Sequence, residues 1–107
     1  MESPLLLEER KFDIRVWVLL THDYKLYWFR EGYLRMTAVK FTLDSKSISD
    51  PEMHLTNNAV QSKMKNYGKY EHGNILSFDS LRARLLEMDK DPCIVDEKLL
   101  PAMSKII

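Results

Sequence analysis

Lys11, Asp13 and Arg15 alternate with Phe12, Ile14 and Val16 near the start of the chain. In an extended segment residues two apart share a face, so an ammonium, a carboxylate and a guanidinium project together. The face continues with Trp17 and Leu19, and three formal charges beside such neighbours are costly to bury without partners. A polyanionic ligand supplies partners: the cations meet phosphate oxygens, and Asp13 orients them or holds a sugar hydroxyl or a metal. A solvated strand end with a ladder of charges explains the same spacing, and the spacing alone favours that simpler account. Arg35, with Arg30 nearby, can face this row from a neighbouring strand, or can lie over Tyr27 and Tyr33 as a surface arginine. His54-Leu55-Thr56-Asn57-Asn58 leads from a short extended stretch into a helix start. Backbone amides and small polar side chains there can bind phosphate or ribose. Helix capping by Thr56 or Asn57 explains the same residues equally well.

Elsewhere the chemistry is sparse. The single cysteine, Cys93, forms no internal disulfide and has neither a base nor a helix start beside it. No Cys/His cluster has zinc-ligand spacing, so no metal site is expected in the chain. No serine sits in a nucleophile elbow and no phosphate loop is present. His22 and His72 fall in turn-like segments and read as solvent residues. Lys plus Arg and Asp plus Glu number 16 each, a balance that argues against a general nucleic-acid binder. No apolar run approaches the roughly 20 residues of a membrane helix, and Met1-Glu2-Ser3-Pro4 does not open a signal peptide. The expected compartment is the reducing cytosol or a cytoskeletal structure within it.

The elements that must position these residues follow from periodicity. Phe12 to Leu20 alternates as a strand, apolar on both faces in its second half, which predicts a covered sheet. Thr21-His22-Asp23-Tyr24 offers a turn into a second strand over 25–29, Glu31-Gly32 breaks it, and 33–37 resumes as a third, together an antiparallel meander. Residues 44–51 read as a polar loop, 53–57 as a short strand, 59–65 as a helix capped by Asn57 or Asn58, and 66–74 as a long ordered loop whose tyrosines anchor it. Ser77 caps an amphipathic helix from Phe78 to about Met88, with Asp79 in its first turn and Asp91-Pro92 beyond its end. A last helix from Asp96 carries Leu99, Leu100, Met103, Ile106 and Ile107 as one stripe, and its end reads as cut rather than finished. One α+β domain over 1–107 is expected.

Three of these segments, in order, resemble the signature of tubulin tyrosine ligase-like enzymes: Arg10-Lys11-Phe12-Asp13-Ile14-Arg15-Val16-Trp17-Val18-Leu19, then Arg30-Glu31-Gly32-Tyr33-Leu34-Arg35, then Met53-His54-Leu55-Thr56-Asn57. Pro4-Leu5-Leu6-Leu7 ahead of the first fits as well, and Asn66-Tyr67-Gly68 through Leu76-Ser77-Phe78 is similar to members from ciliates and other protists. The resemblance covers nearly the whole chain and favours the ligand face over the solvated one.

It implies part of an ATP-grasp fold and an ATP-dependent ligase that joins an amino-acid co-substrate to tubulin through an acyl-phosphate. Carried over, Lys11, Asp13, Arg35, His54, Leu55, Thr56 and Asn57 line the ATP site, and Arg15 and Arg35 are the catalytic cations, Arg15 facing the amino-acid or phosphate end. Cations there suit attack of a carboxylate on the γ-phosphate. The family's glycine-rich and lysine-bearing segments and its adenine hinge are expected before residue 4, and its acidic Mg2+ ligands after residue 107, so the chain alone is expected to be inactive. Asn57-Asn58 followed by Ala59-Val60-Gln61 leans toward glycine, with glutamate next. The implied partners are tubulin and microtubules, with neither nucleic acid nor membrane, and the implied locations are cytoplasm, cytoskeleton and cilium or flagellum. A non-catalytic tubulin- or partner-binding module is the alternative.

Overall fold

The computed structural model describes residues 3–44 and 48–107; the expected polar loop over 44–51 therefore lies partly outside the described residues. The chain divides into two compact units, residues 1–14 with 34–76, and residues 15–33 with 77–107. The fold mixes short strands with short helices, as the sequence predicts for an α+β chain.

The first unit is organised by strands β1 (Phe12–Arg15), β4 (Tyr33–Met36) and β5 (Ile75–Ser77), joined in the order β1-β4-β5. The Thr37 amide donates to the Lys11 carbonyl (3.0 Å) and the Phe41 amide to that of Glu9 (2.7 Å), which extends the contact beyond the strands. Leu7, Leu34, Met36, Ala38, Met53 and Leu76 are buried. Before β1 the chain reverses tightly: Leu7 and Arg10 exchange backbone bonds, while Glu8 and Glu9 take φ of 51° and 63°. Left-handed conformation at two successive residues is the geometry of a primed hairpin turn, and it directs Arg10 inward.

Helix α1 (Pro51–His54) occupies part of the stretch expected as a strand. Asp50 accepts from the Glu52 amide and Pro51 stands in the first turn, a helix-start pair that outweighs the extended reading of Met53 and His54. Leu55 and Asn57 return to extended or near-extended backbone before α2 (Asn58–Gln61), whose cap is Asn57. The loop from 66 to 71 is followed by a 3-10 turn at His72–Asn74, with Gly68 and Gly73 at positive φ.

The expected meander is not formed. The long strand divides: after β1 the chain breaks at Val16 and Trp17, and β2 (Val18–Leu20) pairs antiparallel with β3 (Leu26–Trp28), Leu19 opposite Tyr27. β4 pairs with β1 and β5 instead of continuing from β3. The turn at Thr21–Lys25 forms as predicted, with the Lys25 amide donating to Thr21 Oγ1 at 3.0 Å and Tyr24 at φ 61°. The second unit's core is Phe78, Leu81, Leu85 and Val95. Val18, Leu19 and Leu20 are all exposed, so the apolar stretch expected to lie in a covered sheet is uncovered among the described residues.

Helix α3 (Phe78–Glu87) begins where Ser77 accepts from the Ser80 amide, as predicted. The final segment starts as a π-helical turn (Val95–Leu99) and becomes α4 (Leu100–Ile106). Pro101 has no amide hydrogen and its ring crowds the carbonyl four residues back, which widens the turn there. Leu99, Leu100 and Met103 of the stripe are half-buried; Ile106 and Ile107 are exposed.

Candidate functional site

β1 with the residue before it, β4, and the end of α1 with the segment after it bring five of the sequence-predicted residues together. Asp13 is their centre. Arg35 Nε donates to its Oδ1 (2.7 Å) and Arg35 NH2 to its Oδ2 (2.5 Å), a bidentate pair, and Thr56 Oγ1 donates to the same Oδ2 (2.7 Å). The pair is partly exposed, with 22% of the Arg35 and 38% of the Asp13 side chain accessible. Arg35 thus faces the charged row rather than lying over Tyr27 and Tyr33.

Lys11 completes the cluster. Its Nζ lies 2.8 Å from His54 Nδ1 and 4.9 Å from the centre of the Phe41 ring, whose edge meets His54 in a T-shaped contact at 6.1 Å. A lysine ammonium only donates, so His54 Nδ1 accepts and the ring proton stands on Nε2. That Nε2 is buried and has no hydrogen-bond partner among the described residues. An unsatisfied buried donor is unfavourable, and an acceptor reaching it would relieve the deficit. Lys11 and Arg35 set two cationic side chains against the single carboxylate of Asp13. An ammonium and an imidazole N–H beside a carboxylate-anchored guanidinium suit an anion with several oxygens, while the Thr56 hydroxyl is spent on Asp13. The donor set therefore fits a phosphate group.

The remaining sequence-predicted residues stand apart from the hydrogen-bonded cluster. Leu55 is 48% exposed and contributes its carbonyl, which accepts from Gln61 Nε2. Asn57 accepts from the Ala59 amide at 2.9 Å, so its side chain caps α2. Arg15 closes β1, is exposed, belongs to the second unit and makes no side-chain hydrogen bond among the described residues. Among the described residues no three His, Cys, Asp or Glu side chains converge. No helix among the described residues is long and apolar enough to cross a membrane. Cys93 is exposed, and a hydrogen bond to Asp91 together with that carboxylate's charge raises its pKa, which keeps the thiol protonated. His22 and His72 are exposed, as expected.

Beside the cluster lies a buried assembly the sequence reading missed. Arg10 is fully buried; it donates to both carboxylate oxygens of Glu71 (3.0 Å each), to Glu8 Oε2 (3.1 Å) and to the Thr37 carbonyl (2.9 Å). The Tyr70 ring stacks on its guanidinium at 4.3 Å. The loop is thus anchored by the charge of Glu71 as well as by its tyrosines, Tyr70 on Arg10 and Tyr67 donating to Asn58 Oδ1 at 2.9 Å. Arg10 opens the first motif, and a bulky cation just before a strand was its only sequence signal. In the second unit an open cleft of about 540 Å³ lies among Trp28, Arg30, Asp96, Leu100, Pro101 and Ser104, so Arg30 lines this cleft.

Comparison with known proteins agrees with the resemblance. Residues 1–105 match the family described as the tubulin-tyrosine ligase family. Tubulin glycylase 3D of Tetrahymena thermophila is 33% identical over 112 residues, which cover 100% of this chain and 10% of that protein. Tubulin glycylase 3A of Drosophila melanogaster is 35% identical over 113 residues, covering 100% of this chain and 11% of that protein. Tubulin polyglutamylase TTLL5 of Mus musculus is 32% identical over 99 residues, 85% of this chain and 8% of that protein. The chain spans about a tenth of the length of these relatives.

Proposed function

Because the chain belongs to the tubulin-tyrosine ligase family, we propose that it carries one wall of the ATP site of a tubulin amino-acid ligase with an ATP-grasp fold. The observation that supports this reading is the Lys11–His54 pair, with its unsatisfied Nε2–H, beside the Asp13–Arg35–Thr56 cluster. Lys11 and His54 meet phosphate oxygens. Asp13 holds Arg35 in a fixed plane and keeps Thr56 turned toward it. ATP supplies the phosphoryl group that activates a carboxylate as an acyl-phosphate, and positive charge around that group stabilises the transfer.

Glycine is the favoured amino acid and glutamate the next, since two of the relatives are named glycylases and one a polyglutamylase. The acceptor is tubulin, and the location is the microtubule cytoskeleton, cilia included. The 107 residues by themselves are inactive in this reading, since they span about a tenth of the relatives' length.

Titration of the chain with a fluorescent ATP analogue tests it. Binding is expected, weakened about tenfold or more in Lys11→Met and in His54→Phe, since each removes a donor to a charged oxygen. Undetectable binding by the wild type, or unchanged binding in Lys11→Met, refutes the site. A second reading, a non-catalytic tubulin- or partner-binding module, draws on the exposed Leu19, Leu20, Tyr27 and Phe29 of the hairpin. Cosedimentation of the chain with microtubules, abolished by Leu19→Ser yet indifferent to Lys11→Met, would favour that module.

A further inference from the structure

We infer that Gln61 is the positioning residue of this site: it touches no ligand and holds in register the segments that present His54, Thr56 and Arg35. This inference rests on the nucleotide reading above. Gln61 is fully buried, and its amide uses its whole hydrogen-bonding capacity. Nε2 donates to the carbonyl of Glu52 (3.0 Å) and to that of Leu55. Oε1 accepts from the Ala38 amide (3.2 Å) and from Asn74 Nδ2 (3.2 Å).

These four bonds reach three separate stretches of chain. Glu52 and Leu55 bracket His54 and immediately precede Thr56. Ala38 lies two residues beyond β4, the strand that carries Arg35. Asn74 precedes β5 and accepts in turn from the Gly68 amide at 3.0 Å. α1 has four residues and Leu55 leaves it in extended backbone, so helical bonding holds this stretch only weakly. A side chain that must donate twice and accept twice fixes both the direction and the spacing of the stretches it joins. Glutamate at this position presents a carboxylate to two carbonyl oxygens, and methionine keeps the shape while losing every bond. Either change frees the 52–56 stretch to shift away from Lys11 and Asp13.

The test is made on the 107-residue chain labelled with nitrogen-15 in histidine, of which there are three. In the wild type His54 is expected to give the nitrogen shifts of a ring with its proton fixed on Nε2, while His22 and His72 give solvent-averaged signals. Gln61→Met and Gln61→Glu are expected to lose the fixed His54 signature and leave the other two unchanged, with the fold retained by circular dichroism. Nucleotide affinity is expected to fall about tenfold in Gln61→Met and in Thr56→Val, and by less than the product of the two in the double variant, because residues acting as one unit are not additive. A purely structural role predicts additive losses and an intact His54 signal. Persistence of the His54 signature in both variants overturns the inference, as does unfolding of both. If the wild type binds no nucleotide but the signature still depends on Gln61, the ATP reading fails while the positioning role stands.

Discussion

Replacing Glu71 by Gln isolates the buried Arg10 charge. The two side chains are 7% and 0% accessible and are joined by two parallel bonds of 3.0 Å. Glutamine keeps the shape and one acceptor but removes the charge, leaving Glu8, 46% exposed, as the remaining carboxylate in contact with Arg10. Breaking a buried ion pair from one side costs about 3–5 kcal/mol. A domain of this size has about 5–15 kcal/mol in all, so the loss is a large share of its stability. At about 4 °C per kcal/mol for a domain near 100 residues, the melting temperature should fall by roughly 12–20 °C. Thermal and urea unfolding followed by far-ultraviolet circular dichroism measure it. Arg10→Met combined with Glu71→Leu removes both charges, and because well-packed apolar replacements of buried pairs are often neutral, the double variant should regain most of the loss. A fall under about 4 °C in Glu71→Gln, or a double variant less stable than that single one, would refute the claim that an uncompensated buried charge is the dominant cost.

Gly32→Ala should destabilise by about 1–3 kcal/mol in urea unfolding, because a Cβ there meets the Arg15 carbonyl oxygen at 2.5 Å and the Phe78 ring at 2.9 Å. Ser77→Ala should cost about 1 kcal/mol through loss of the α3 cap, and Ser77→Asp should restore it in the same assay. Acidification should loosen the final helix. Asp96 is held below its ordinary value of 3.8, first by its hydrogen bonds with Arg82, so its contribution is complete above that value and is lost as pH falls through the lower folded one. The protection of amides 95–106, as exchange rates relative to the intrinsic rate at each pH, should therefore fall in acid in the wild type and change less with pH in Asp96→Asn.

The parts legible in the sequence were those decided locally. Ser77 and Asp79 mark a helix start by their own hydrogen bonding, and Thr21 to Tyr24 close a turn within five residues. Charge on a strand face raised the question of partners for Lys11, Asp13 and Arg35, though the spacing alone favoured a solvated face, and the structure places Arg35 and Asp13 together. What failed depended on distant partners. Nothing in the alternation from Phe12 to Leu20 says that the strand changes neighbours at Trp17. Met53 and His54 read as extended, although Asp50-Pro51 ahead of them was a helix-start signal. The three residues of β5 are too few for periodicity to register. Glu8-Glu9 lacks the Asn-Gly chemistry of a primed turn, so the reversal that buries Arg10 had no local mark. Gln61 and Glu71 gave no sign of their roles, since a buried polar side chain is recognised by what surrounds it.

The chain's two tryptophans, Trp17 and Trp28, both belong to the hairpin unit, where Trp17 lies 5.3 Å from Tyr33 and 6.1 Å from Phe29. The unit holding Lys11, Asp13, Arg35 and His54 contains none. Intrinsic indole emission therefore watches one half of the molecule and is silent on the other. A melt recorded by fluorescence alone would score Glu71→Gln by the wrong unit, whereas a gap between the fluorescence and dichroism midpoints would measure how far the two halves unfold independently.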